Sequence, residues 1–336
     1  MFADAGGVIA SVAFRNFKAL RATGLSLGPF NLVIGPNGSG KTSLIQALLQ
    51  LRTLSKLSPQ SPGGPLQKHG GPEIEFRFAA PHDAVVVRLG CVSEVLCDVL
   101  QIVPANAPGW AVLRTEGARI RSYVLDHRAM AGSSRREDGA ELCSDGANLA
   151  AVLATMRGRA PDAFLALMAE MQRIMPEFRS LELVEHGDDH VGLGLRLAEY
   201  GLVQATEVSQ GALYLLGVLA LAFDPTPPRV LCIEEVDRGI HPRMLREIRD
   251  ALYRLSYPRS SGLERPPVQV VTTTHSPYFI DLFRDHPEEV VISQRHGGAA
   301  VFERLSDRAD LPGLLREGSL GDMWYSGVLG GVPDEQ

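Results

Sequence analysis

Residues 35–42 read Gly-Pro-Asn-Gly-Ser-Gly-Lys-Thr, glycines followed by a lysine and a hydroxyl at the spacing a phosphate-binding loop needs. Glycines let the backbone close around an anion, and the N–H groups at a helix start supply partial positive charge. Gly35, Pro36, Asn37, Gly38, Ser39 and Gly40 would form that loop. Lys41 would reach the outer phosphates, and Thr42, followed by Ser43, would ligate Mg²⁺. Of the 33 basic residues only Lys18, Lys41, Lys56 and Lys68 are lysines, so a lysine at the one place this loop requires it is informative.

A second constellation lies at Arg229-Val-Leu-Cys-Ile-Glu234-Glu235, an apolar strand ending in two acids. In open α/β sheets ligands bind at the carboxyl ends of the strands, where such acids would sit. Glu234 would hold the Mg²⁺ shell through water, and Glu235 would orient or deprotonate an attacking water. Taken alone, the dipeptide reads equally well as a solvated pair at a strand end. The phosphate loop upstream favours the catalytic alternative.

In their order along the chain these motifs resemble the ABC-type ATPases, in particular the SMC/RecF/OLD-like branch. Val208-Ser209-Gln210-Gly211-Ala212 is similar to the LSGGQ signature and lies 25 residues before Glu234. Val236-Asp-Arg-Gly-Ile-His-Pro242 is similar to the D-loop, Thr274-His275-Ser276-Pro277 to the switch-histidine segment, and Phe14-Arg-Asn-Phe-Lys18 to the opening strand. Three positions depart from the family pattern. Val208 replaces Leu, Gln210 replaces Gly, and Glu234 stands where many relatives carry Asp. Gln67 is the candidate for the Q-loop.

The resemblance implies ATP and Mg²⁺ as ligands, with hydrolysis depending on Glu235, His275 and Lys41. It implies a head-to-tail homodimer around two Mg-ATP, in which Ser209 and Gly211 of one subunit face the γ-phosphate held by Lys41 of the other. His275 would contact that phosphate or steady the water; a histidine packed locally at a helix start is the alternative. Relatives act as switches in DNA repair or anti-phage defence beside a separate effector such as a nuclease, with DNA a further candidate partner. Without a sustained heptad run no coiled-coil arms are expected, and with 61 residues after His275 no Toprim nuclease is expected within this sequence. Two rivals are a slow or non-hydrolysing ATP clamp serving as a DNA- or protein-binding scaffold, and a transporter ATPase. The Glu-Glu-Val-Asp-Arg-Gly-Ile-His-Pro run and the lack of a clear Q-loop weigh against the transporter.

Positioning such groups needs strands that end at one edge. The patterning predicts strands at Val8–Phe14 and Phe30–Ile34, a helix from Lys41 to about Arg52, and a Pro/Gly-rich loop at Ser55–Pro72. Alternation predicts strands at Glu73–Phe78 and Val85–Leu89, with two more within Trp110–Val124. A helical stretch from Asn148 to about Met175 breaks near Gly158–Pro161, with Asp162 a plausible cap. Strands at Leu181–Glu185 and Val191–Leu197 precede a helix at Gly211–Phe223. Strand and helix then alternate: Val230–Glu234, Pro242–Leu255, Val268–Thr272, Pro277–Phe283 and Val290–Ser293. The expected fold is α/β, a P-loop NTPase of ABC type with a mostly parallel central sheet, an antiparallel β region and an inserted helical subdomain. The expected segments are 1–94 and 206–305 as the ATPase core, 95–205 as the insertion and 306–336 as a tail.

Composition narrows the rest. With 45% hydrophobic and 21% charged residues and a net charge of −6, the chain is globular and has no overall positive field for nucleic acid or acidic membrane. The longest apolar run, Ala212–Phe223, is too short for a membrane span, and the N-terminus lacks the pattern of a signal peptide. A cytoplasmic, membrane-free protein is expected. Four cysteines without CxxC spacing predict neither zinc site nor disulfide and suit a reducing compartment. His186 and His190, flanking Asp188 and Asp189, have metal-compatible spacing but read better as a hairpin turn. Arg243, Arg246, Arg249 and Arg254 could face DNA or a partner, although Glu247 and Asp250 among them favour a solvated, ion-paired face. Trp324 and Tyr325 among C-terminal glycines suggest either a tail folded onto its own core or an effector-docking segment.

Overall fold

A computed structural model describes residues 8–56 and 71–330, and the Q-loop candidate Gln67 lies outside them. The chain divides into two units, the first comprising Met1–Ser122, Pro228–Val236 and Ser256–Gln336. Its central six-stranded sheet runs in the order Ala299–Arg304, Val290–His296, Phe30–Ile34, Gln269–Thr273, Val230–Ile233, Ile120–Tyr123. The first two strands pair antiparallel, and Val290–His296, Phe30–Ile34, Gln269–Thr273 and Val230–Ile233 pair in parallel. Every residue of Phe30–Ile34, Gln269–Thr273 and Val230–Ile233 is buried, as in a sheet covered on both faces.

A five-stranded antiparallel sheet, ordered Leu20–Ser26, Ile9–Phe17, Glu73–Phe78, Val86–Cys91, Cys97–Val103, completes this unit. Its strand Glu73–Phe78 alternates, burying Ile74, Phe76 and Phe78. These share one core with Leu44, Ile45, Leu48 and Leu51 of the helix Lys41–Leu54. Full burial of a side chain of this size contributes about 1.5–3 kcal/mol, so the helix that opens at the phosphate loop is firmly seated. The buried Gln269 side chain ties the sheets together: its Oε1 accepts from Ile9 N at 3.0 Å and its Nε2 donates to Ile9 O at 2.8 Å.

The second unit comprises Tyr123–Pro227 and Asp237–Leu255. It holds the helices Leu149–Arg159, Pro161–Ile174, Gln210–Ala222 and Leu245–Ser256, and a small antiparallel sheet centred on His190–Leu197. That strand pairs with Gly201–Gln204, Ser134–Arg135 and Phe178–His186. Ala212 to Ala222 are buried throughout, which explains an apolar run with no polar stripe.

The α/β class with a mostly parallel central sheet and an antiparallel β region is as expected. Several expectations need correction. Trp110–Val124 does not form two strands. It forms the helix Trp110–Ala118, burying Leu113 and Gly117, and the single strand Ile120–Tyr123. Asp162 is not a cap, since Ala160 holds that position and Pro161 opens the helix. The cysteine spacing predicts no disulfide, yet Cys91 is bonded to Cys97. The two face each other across the pair Val86–Cys91 and Cys97–Val103, where a shift in register after Gly90 brings them into opposition. Cys143 and Cys232 are free thiols, and burial pushes the Cys232 thiol well above its usual range. No helix among the described residues is long and apolar enough to cross a membrane.

Candidate functional site

Phe30–Ile34, Gln269–Thr273 and Val230–Ile233 are adjacent and parallel, so the segments leaving their carboxyl ends converge at one edge of the first unit. There they surround a cavity of about 170 Å³. The segment after Phe30–Ile34 supplies Asn37, Gly38, Gly40, Lys41, Thr42 and Ser43 to its lining, the end of Gln269–Thr273 supplies Thr273 and His275, and the segment after Val230–Ile233 supplies Glu234 and Glu235. The phosphate loop, the paired acids and the switch histidine therefore meet.

Gly40 sits at φ 106, a conformation that excludes most residues with a Cβ, and directly precedes the helix Lys41–Leu54. No side chain caps that helix start and no acid occupies its first turn, although the Glu234 and Glu235 carboxylates line the same cavity. Lys41 Nζ donates to the carbonyls of Gly35 at 2.6 Å and Pro36 at 2.9 Å. Burial brings its pKa down to about 8, against the opposing pull of the Glu235 and Glu234 charges. Ser39 is fully buried, and its hydroxyl has no hydrogen-bond partner among the described residues. Its carbonyl accepts from Ser293 Oγ at 2.5 Å.

Thr42 Oγ1 donates to Glu234 Oε2 at 2.8 Å. A hydroxyl and a carboxylate side by side are the hard oxygen donors that Mg²⁺ prefers. An uncapped helix start and an ammonium on one cavity suit a polyphosphate. The residues present thus fit a nucleotide with its Mg²⁺.

Glu235 has φ 50, one of three non-glycine residues with positive φ among the described residues. Its N–H donates to Thr273 Oγ1 at 2.9 Å, and Val236 N–H donates to Thr273 O at 3.0 Å. Sequence reasoning missed Thr273; its only signal was a threonine two places before His275.

Ser209 and Gly211 belong to the second unit and are not among the cavity's lining residues. Ser209 is the N-cap of Gln210–Ala222, its hydroxyl accepting from Ala212 N at 3.3 Å. Within the same unit Gln210, the departure from the signature pattern, lies across Gly239 of the D-loop segment. His186 and His190 pair across a hairpin, as expected, with Asp189 bonded to His190 at 2.6 Å. No group of three His, Cys, Asp or Glu among the described residues could hold a metal ion. The arginine-bearing helix engages its own neighbours: Arg249 meets Asp250 at 2.7 Å, Glu247 meets Arg173, and Arg254 lies 4.4 Å over the Phe223 ring. At the carboxyl end Leu320 and Trp324 are buried and Gly321 N donates to Asp281 Oδ1 at 2.7 Å, so this segment folds onto its own core.

Over residues 30–281 the chain matches the family model described as "AAA domain, putative AbiEii toxin, Type IV TA system". No curated protein sequence matches it. Among solved structures it is similar to an Smc head bound to the C-winged helix domain of ScpA, at 14% identity and TM-score 0.56 over 88% of this chain and 97% of that one. It is similar to the SMC head domain from Thermotoga maritima, at 13% identity and TM-score 0.50 over 88% and 98%. The Smc head domain with an extended coiled coil from Pyrococcus furiosus, bound to the C-terminal domain of ScpA, aligns at 12% identity and TM-score 0.55 over 92% and 100%. At such identities the likeness is one of fold. With the family model spanning most of its length, the protein belongs to this AAA-domain family and carries the P-loop fold of SMC-type ATPase heads.

Proposed function

We propose that the protein hydrolyses ATP with Mg²⁺ and uses ATP to hold two copies head to tail, as a switch for a separate effector. The observation that carries this is the meeting of Lys41, the bonded pair Thr42–Glu234, Glu235 and His275 on one cavity. Lys41 and the helix start bind the phosphates. Thr42 and Glu234 would hold Mg²⁺, which would supply positive charge against the developing negative charge of the phosphates. Glu235 takes the proton of the attacking water or orients it, and His275 faces the γ-phosphate. Ser209 and Gly211 act on the nucleotide of the other copy. The family description points to a toxin–antitoxin setting, and the SMC heads it resembles bind ScpA, so a protein effector in anti-phage defence or DNA repair fits the chain.

Replacing Glu235 by Gln should cut hydrolysis by roughly 10²–10⁴ while ATP still binds. An unchanged rate removes Glu235 as the base. Light scattering of Glu235→Gln should then show a doubled mass with Mg-ATP, and no change when Lys41→Ala is added. A second reading, a slow ATP clamp acting as a scaffold, is favoured by Gln210, whose side chain takes the place of a signature glycine. Turnover near the uncatalysed rate in the wild type would select it.

A further inference from the structure

We infer that Thr273 is a positioning residue for Glu235, an inference that rests on the hydrolytic function proposed above. The strand Gln269–Thr273 pairs in parallel with Val230–Ile233, with Ile233 opposite Thr272. Beyond that point the regular ladder ends and the acidic turn begins. Two successive amides of the turn are then held by one residue: Glu235 N donates to Thr273 Oγ1 at 2.9 Å and Val236 N to Thr273 O at 3.0 Å.

Glu235 adopts φ 50, a left-handed conformation that a residue with a Cβ keeps only where its surroundings hold it. In that conformation its N–H meets a side-chain hydroxyl instead of a ladder carbonyl. Thr273 suits this task. It is 3% exposed, and β-branching stiffens its χ1, so the hydroxyl is a fixed acceptor. Thr272 beside it donates from Oγ1 to Ile233 O at 3.0 Å, locking the same strand end from the other face. Thr273 also lines the cavity, two residues before His275. The strand that presents the histidine therefore sets the backbone that aims the base. Loss of the hydroxyl frees the turn while leaving Lys41, Thr42 and the helix start unchanged. The cost should fall on the chemical step rather than on nucleotide binding.

The test uses the full chain with Mg-ATP turnover and equilibrium binding of a fluorescent ATP analogue. Thr273→Val, nearly the same shape without the acceptor, should lower kcat roughly 10–100-fold with KM and analogue affinity within about twofold. Thr273→Ser, which restores an oxygen, should recover kcat to within about threefold. In a Glu235→Gln background Thr273→Val should cost nothing further, because both changes act through one group. Should the valine protein fail to fold by its thermal melt, Thr273→Ala makes the same comparison. Wild-type kcat in Thr273→Val, or a loss that multiplies with Glu235→Gln, overturns the inference. If Glu235→Gln alone turns over normally, the role of Glu235 as base in the proposed function fails first, and that result is separate from either outcome.

Discussion

Thr42 and Glu234 are joined by a hydrogen bond of 2.8 Å although 192 residues separate them. One opens the helix after the phosphate loop and the other ends a strand lying two places away in the central sheet, with Gln269–Thr273 between. Both groups assigned to Mg²⁺ are thus brought together by strand order alone.

Glu234→Ala should raise the Mg²⁺ concentration for half-maximal turnover by roughly 10–100-fold, the usual cost of losing a carboxylate that acts through metal-bound water. Binding of ATP in the presence of a chelator should not change. Identical Mg²⁺ titrations for variant and wild type would reduce Glu234 to a strand-end acid.

Lys41 titrates at about 8 because burial disfavours its charge, and a polyphosphate requires that charge. Below about 8 the lysine already carries its proton, so binding takes up none. Above it, binding must recruit a proton, and apparent affinity should fall with rising pH by up to about tenfold per unit. For folding the sign is the reverse: the unfolded chain binds more protons between about 8 and the ordinary 10.5, so this group adds stability as pH rises through that window. Calorimetry at pH 9 in two buffers of different ionisation heat should detect close to one proton taken up per ATP. Zero uptake at pH 9 would contradict the depressed value.

Gly239 has φ 69, and a methyl placed there would lie 2.3 Å from Gln210 Nε2. The glutamine is flexible and can swing aside, whereas the left-handed backbone cannot be relieved. Gly239→Ala should therefore destabilise the fold by about 1–2 kcal/mol, lowering Tm by roughly 2–6 °C. Most of that loss should persist in a Gln210→Gly background. If the second change abolishes it, side-chain crowding and not backbone strain limits the site.

The helix Leu320–Tyr325 rests on Pro277–Asp281, which directly follows His275, and a Cβ on Gly321 would come within 2.5 Å of Pro277 O. Gly321→Ala should push the two apart and raise amide hydrogen exchange in both segments, with turnover reduced through a loosened His275. Unchanged exchange at 277–281 would show that the terminal helix does not brace the histidine segment.

Residues close together along the chain were readable without coordinates. The loop Gly35–Thr42 is specified by its own glycines and lysine, and Glu234–Glu235 by the apolar strand before them, because backbone conformation and helix starts depend on near neighbours. Alternation in Glu73–Phe78 and the unbroken apolar run of Val230–Ile233 announced their sheets in the same way. Trp110–Ala118 was misread because it buries only Leu113 and Gly117, too little for a period to show. Tertiary structure decided what depends on partners far along the chain: which strands are neighbours, and that Gln269 reaches Ile9. It also decided that Cys91 faces Cys97, that Ser209 spends its hydroxyl on a helix cap and that Thr273 holds Glu235. Those outcomes follow from packing and from hydrogen-bonding groups that must find partners once buried, and neither constraint acts until the strands are side by side.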